Sequence, residues 1–137
     1  MEKFELEEYR TLVLEIRQLK GRLVALESSI YSPRGQRYTS TPRASSGNGS
    51  TMDDAVSRHV ELENFYRRAV AKKEAQQLAI EQAIASLSNP KERAIMRARY
   101  VEGRPWSWIC EKLRSEGYSE RTVYRLHGEA LLKLREV

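Results

Sequence analysis

Residues 119–129 read Ser-Glu-Arg-Thr-Val-Tyr-Arg-Leu-His-Gly-Glu, and the chemistry of the chain is concentrated in this run. On a helix turning about 100° per residue, Val123, Leu126, Ala130 and Leu134 share one face. Arg121, Arg125 and Gly128 fall on the opposite face, flanked by Thr122, Tyr124 and Glu129. Two guanidinium groups near a helix N-terminus suit an anionic partner that accepts hydrogen bonds. A guanidinium fork clasps a guanine edge or a phosphate with two parallel bonds. Gly128 costs roughly 1 kcal/mol relative to alanine inside a helix. It either permits the close approach of a partner's backbone or is a tolerated surface glycine.

Other reactive side chains have structural explanations. Cys110 is the single cysteine, so it forms no internal disulfide and builds no cysteine-rich zinc site. It is expected as a small residue in tight helix packing. His59 lies on the apolar side of a helix with no second ligand at useful spacing. His127 is expected near the core, hydrogen-bonded. Paired acids such as Glu7 and Glu8 belong to a solvated face. No Cys/His, Ser/His/Asp or glycine-rich phosphate loop pattern occurs. The expectation is a protein that is not an enzyme and uses no metal or cofactor.

The arginine-bearing helix must be held by what precedes it. Asn89 can cap a helix with Pro90 at its first position, and Glu92 can complete a capping box. That helix should run to about Val101 and stop at Gly103. A second begins near Pro105 and includes Trp106, Ile109 and Leu113, with Trp106 packing the core and Trp108 partly exposed. A turn follows at Gly117-Tyr118, and Ser119 caps the third helix. Three short helices so punctuated suggest a helix-turn-helix whose last helix enters the major groove of DNA.

Upstream, Tyr9, Leu12, Ile16, Leu19, Leu23, Leu26 and Ile30 form a heptad stripe over residues 1–30. In a parallel pair, Glu15 would face Lys20 of a second copy and Arg22 would face Glu27. The alternative is a helix packed within its own chain, as one arm of an antiparallel hairpin. Residues 31–52, rich in proline, glycine and serine, are expected as a basic flexible linker, with Arg34, Arg37 and Arg43 able to track DNA. A second long helix is expected over 53–88, opening at Asp53 and Asp54 and carrying Val56, Leu62, Phe65, Tyr66, Ala69, Val70, Leu78, Ile80, Ile84 and Leu87. The fold expected is therefore all-α: long N-terminal helices, as coiled coil or hairpin, followed by a three-helix module over 89–137.

The net charge of +5 is unevenly spread. Residues 89–137 carry 11 basic against 7 acidic side chains, and residues 31–52 carry 3 basic and none acidic. This places an electrostatic footprint for phosphate in the linker and the last third. The acidic N-terminus lacks the pattern of a signal peptide, and no apolar run approaches the ~18 residues of a membrane span. The chain is expected in the cytoplasm.

The stretch from Leu87 to Leu134 resembles the region of sigma factors that reads the promoter −35 element. The matching features are Leu87, Pro90, Glu92-Arg93, Arg99-Tyr100, Gly103, Ile109, Leu113, Ser119, Thr122-Val123 and Ala130-Leu131. The fuller runs from Arg99 to Gly103 and from Ser119 to Leu131 are similar to the small RinA/ArpU-type activators of late phage genes. This resemblance implies a double-stranded DNA-binding transcriptional regulator of a phage or prophage, acting in a bacterial host. It carries Arg121, Tyr124 and Arg125 over as DNA contacts; with the cap and the rest of the outer face, the expected DNA-binding set is Ser119, Glu120, Arg121, Thr122, Tyr124, Arg125 and Gly128. On this reading the helical region dimerises or contacts RNA polymerase, and the heptad stripe points to a homodimer through the N-terminal helices. Two departures bear on the tilt of the last helix: Pro105 stands where serine or threonine usually caps, and Arg114-Ser115-Glu116 lengthens the segment before the turn. The competing readings are a terminase small subunit-like DNA-packaging protein and a coiled-coil interaction protein that no longer binds DNA.

Overall fold

The computed structural model describes residues 1–31 and 51–136. They form α1 (Lys3–Glu7), α2 (Tyr9–Tyr31), α3 (Thr51–Ala85), α4 (Pro90–Met96), a π turn (Arg97–Val101), α5 (Trp106–Arg114) and α6 (Glu120–Arg135). The described residues are all-α, without a strand. The expected linker, except for its ends, lies outside them, and so do Arg34, Arg37 and Arg43.

The chain divides into two compact units, one of Met1–Leu14 with Glu74–Val137, the other of Glu15–Lys73. In the first unit, α6 reaches two apolar clusters. Ala130 and Leu134 join Leu6, Tyr9, Leu12, Ile80, Ile84, Leu87, Met96 and Tyr100. Val123 and Leu126 join Ile95, Ala98, Ile109, Cys110 and Leu113. Each fully buried aliphatic side chain contributes about 1.5–3 kcal/mol. The inner face of α6 is thus fixed by four residues at helical spacing, all buried.

Local chemistry sets the ends of these helices. Asn89 Oδ1 accepts the Lys91 amide at 2.9 Å, and Pro90 occupies the first turn, where its missing N–H costs nothing. Glu92 does not act as the expected capping-box partner. It is fully buried, and both carboxylate oxygens accept from Lys133 Nζ, at 2.9 and 3.0 Å. A carboxylate removed from water needs such a partner, and the lysine of α6 outcompetes a cap amide because it brings charge. The helix expected to continue to Val101 widens after Met96: the Glu102 amide reaches back five residues to the Arg97 carbonyl at 2.9 Å. Gly103, at φ +71°, then ends it, and the Arg104 amide closes onto the Ala98 carbonyl at 2.9 Å.

The N-terminal stretch is two helices rather than one. The α1 side of the break at Glu8 sends Leu6 into the core, and the Met1 ammonium donates to the Leu134 carbonyl at 3.0 Å, satisfying the end of α6. Tyr9, at the start of α2, donates its hydroxyl to Glu81 and accepts from Gln77 Nε2 at 3.1 Å. Burial raises its pKa above the usual tyrosine value, and the Glu81 carboxylate adds to this.

In the second unit α2 and α3 run antiparallel. Glu15 pairs with Lys73, and Glu27 pairs with Arg67 at 2.7 Å, while Arg67 also bonds Glu63 at 2.5 Å. Glu15 and Glu27, the carboxylates that a parallel coiled coil would give to a second copy, are therefore engaged within the chain. Ile16 and Val70 are buried here; Leu19, Leu23 and Leu26 are only partly so.

Candidate functional site

The path from α5 to α6 is tight. Gly117 adopts φ +94°, a left-handed conformation that suits glycine, and the Tyr118 amide bonds the Leu113 carbonyl at 3.0 Å. Ser119 Oγ then accepts the Thr122 amide at 3.2 Å and shares a 2.8 Å hydrogen bond with Thr122 Oγ1. These two hydroxyls hold the first turn of α6 together. Beyond them the outer face presents Glu120, Arg121, Tyr124, Arg125 and Gly128, all exposed, with Thr122 half-buried. The seven residues singled out from the sequence thus lie on the cap and first two and a half turns of one helix.

Their side chains are not equivalent. Arg125 Nη1 bonds Glu129 Oε1 at 2.9 Å, one turn further along. Arg121 has no carboxylate partner among the described residues and stands at the N-terminal end of the face. Tyr124 leans off the face: its ring lies 5.0 Å from that of Trp106, and its hydroxyl interacts with Cys110. Burial pushes the Cys110 thiol up, and nearby Glu120 adds to that. A Cβ at Gly128 would meet nothing within 4 Å, so the fold itself does not require glycine there.

Behind Tyr124 lies a polar and aromatic cluster that periodicity did not single out. Trp106 meets His127 edge-on at 4.6 Å, and the Arg99 guanidinium lies 5.0 Å over the Trp106 ring. Tyr100 Oη is 2.7 Å from His127 Nε2. Burial lowers the His127 pKa to about 4, with Lys3 and Arg99 adding to the effect, so the imidazole is neutral at pH 7. Tyr100 is pushed up to about 12, chiefly by burial and then by Glu7, and keeps its proton. Trp108 is half-buried between two cations, Arg104 at 4.5 Å and Lys112 at 4.9 Å from its ring. The i, i+4 spacing of Trp108 and Lys112 was a readable signal; the partnership of Trp106, Arg99 and His127 spans three elements and had none.

Among the described residues no group of three or more His, Cys, Asp or Glu is arranged to hold a metal ion. No described helix is long and apolar enough to cross a membrane.

Residues 38–135 match the family described as "Protein of unknown function (DUF1492)". The chain belongs to the DUF1492 family. The matched stretch contains α3 to α6 and therefore the whole arginine-bearing face. It leaves out α1 and α2, although Leu6, Tyr9 and Leu12 are buried in the first unit's core. No curated protein and no solved structure matches the chain.

Proposed function

We propose that this DUF1492 protein is a sequence-specific double-stranded DNA-binding regulator of transcription, with α4 to α6 acting as a sigma-like helix-turn-helix and α6 as its recognition helix. One observation carries the reading. α6 buries Val123, Leu126, Ala130 and Leu134 and leaves Arg121, Arg125 and Gly128 exposed on the other side, directly after the tight turn at Gly117. A helix so held can enter the major groove without disturbing its own core. Arg121 is the leading candidate for a bidentate base contact, because no carboxylate among the described residues pairs with it. The resemblance to RinA/ArpU-type proteins makes late-gene activation in a phage or prophage the specific role, with RNA polymerase as second partner and a homodimer as the acting form.

The test starts with selection of a bound site from a random duplex library. Arg121→Ala and Arg125→Ala should each weaken binding to that site by roughly 5- to 150-fold, the equivalent of about 1–3 kcal/mol for a bidentate contact, with unchanged melting. Binding by both variants at the parent's affinity would remove α6 from the groove. The purified protein should also raise transcript yield from that site with bacterial RNA polymerase. A large ring bound to a packaging site with no effect on transcription would favour the terminase-like alternative.

A further inference from the structure

The outer face of α6 is bordered, beyond Tyr124 and Trp106, by a cleft of about 280 Å³ within the first unit. Three cations line it: Lys3 of α1, Arg10 of α2 and Arg99 of the π turn. Glu7 is the single carboxylate in the lining, 3.7 Å from Lys3. The aromatic wall is Trp106, and the neutral His127 adds no charge at physiological pH. Both guanidiniums are aimed by backbone carbonyls rather than neutralised by acids. Arg10 Nη1 donates to the Val101 carbonyl at 3.0 Å, and Arg99 Nη1 donates to the Arg104 carbonyl at 3.2 Å. A carbonyl fixes a guanidinium in place without cancelling its charge, and leaves its other N–H groups for a ligand. Gly103 is part of this construction, since the Arg10 side chain passes 3.0 Å from where a Cβ would stand.

We infer that this cleft takes a phosphate group, and that its source is the backbone of the same duplex that α6 reads. The inference rests on the DNA-binding reading and extends it to the N-terminal helices. Trp106 touches both Tyr124 and His127, so the cleft adjoins the edge of the proposed recognition face. A strand passing that edge would meet Lys3 and Arg10 as well as Arg99. Phosphate contacts of this kind set position and affinity without reading sequence. The N-terminal helices would thus add charge contacts to the part of the chain that carries the base contacts.

The experiment uses the full chain and a mixed-sequence duplex, titrated over a salt series. Lys3→Gln should lower the slope of log affinity against log salt by about one unit, because one phosphate fewer is neutralised and its counterion stays on the duplex. Sequence preference and melting temperature should stay unchanged, and Lys3→Arg should restore the slope. Lys72→Gln, at an exposed cation of the second unit, should leave the slope as it was. An unchanged slope in Lys3→Gln, while Arg121→Ala still weakens site binding, would overturn the cleft alone. Absence of any salt-dependent duplex binding by the parent would overturn both readings. Saturable micromolar binding of inorganic phosphate, unaffected by duplex, would show a free-anion site instead and overturn the assignment to DNA.

Discussion

The two compact units are built from the same material and filled very differently. In the first, two apolar clusters are closed from several directions by α1, the start of α2, α3, α4, the π turn, α5 and α6. In the second, two antiparallel helix segments bury Ile16 and Val70 and leave Val24, Met52, Val56, Val60, Leu62 and Phe65 exposed. Two helices alone can shield only a narrow seam, and ion pairs such as Arg67–Glu27 flank it. The proposed DNA-binding face belongs to the well-filled unit, where a recognition helix can be held still.

The largest expected effect is at the core. Val123 has no exposure, so Val123→Asp must bury a carboxylate with no partner, at a cost of about 4 kcal/mol or more. Both tryptophans lie in the first unit, so tryptophan fluorescence and near-UV circular dichroism should report its unfolding directly. The matched change, Leu19→Asp, falls on a half-buried seam position where the carboxylate still reaches water. It should cost about 1–2 kcal/mol and leave the tryptophan signal native. If the parent self-associates through this hairpin, the same variant should shift it toward monomer in sedimentation. Equal costs at the two sites would mean that the second unit is as tightly packed as the first.

The histidines form the second pair. His127 is bonded to Tyr100, whereas His59 has a buried Nδ1 without a hydrogen-bond partner. The His127 pKa is about 4 in the folded chain, against the usual value near 6.5 for the unfolded one. The unfolded state therefore binds more protons between these values. The stabilisation is complete above pH 6.5 and is lost as the pH falls toward 4. Because the imidazole is only partly buried, solvent screening holds the effect to about 1–2 kcal/mol. Melting followed from pH 7 to pH 4 should show this decline, and His127→Gln should flatten it. A variant that declines as steeply as the parent would put the acid sensitivity elsewhere.

How much of this was legible in the sequence follows from the range of each interaction. The inner face of α6, the Asn89 and Ser119 caps and the stops at Gly103 and Gly117 are local, and residue spacing reveals them. The heptad stripe is also local, but its fate is not. Tyr9 and Leu12 go to the first unit's core, while Leu19, Leu23 and Leu26 line the thinner seam of the second. Nothing near Glu92 in sequence reveals that Lys133 will meet it. The π turn has no local mark, and the docking of α1 depends on partners more than 100 residues away, as the 3.0 Å bond from Met1 to Leu134 shows. Within the candidate site, the outer face was readable, and the Arg125–Glu129 pair could have been, since it has i, i+4 spacing. The Trp106 cluster and the cleft beside it arise only when α1, the start of α2, the π turn, α5 and α6 come together.

The smallest expected effect gives the sharpest contrast between the units, because it separates folding from recognition. Gly21 of α2 and Gly128 of α6 are both exposed in helix interiors, and a Cβ at either would meet nothing within 4 Å. Neither needs a left-handed conformation. Alanine should therefore stabilise each helix by about 0.5–1 kcal/mol, through helix propensity and the lower entropy of the unfolded chain. Thermal melts of Gly21→Ala and Gly128→Ala should rise together. DNA binding should divide them. Gly128 shares its face with Arg121 and Arg125, and an added methyl would hold α6 away from the groove; Gly21 lies in the other unit. Gly128→Ala should thus be the more stable protein and the weaker binder, while Gly21→Ala binds the selected site like the parent. If Gly128→Ala gains stability and keeps its full affinity, this glycine is only a tolerated surface residue, and close approach at that turn of α6 plays no part in recognition.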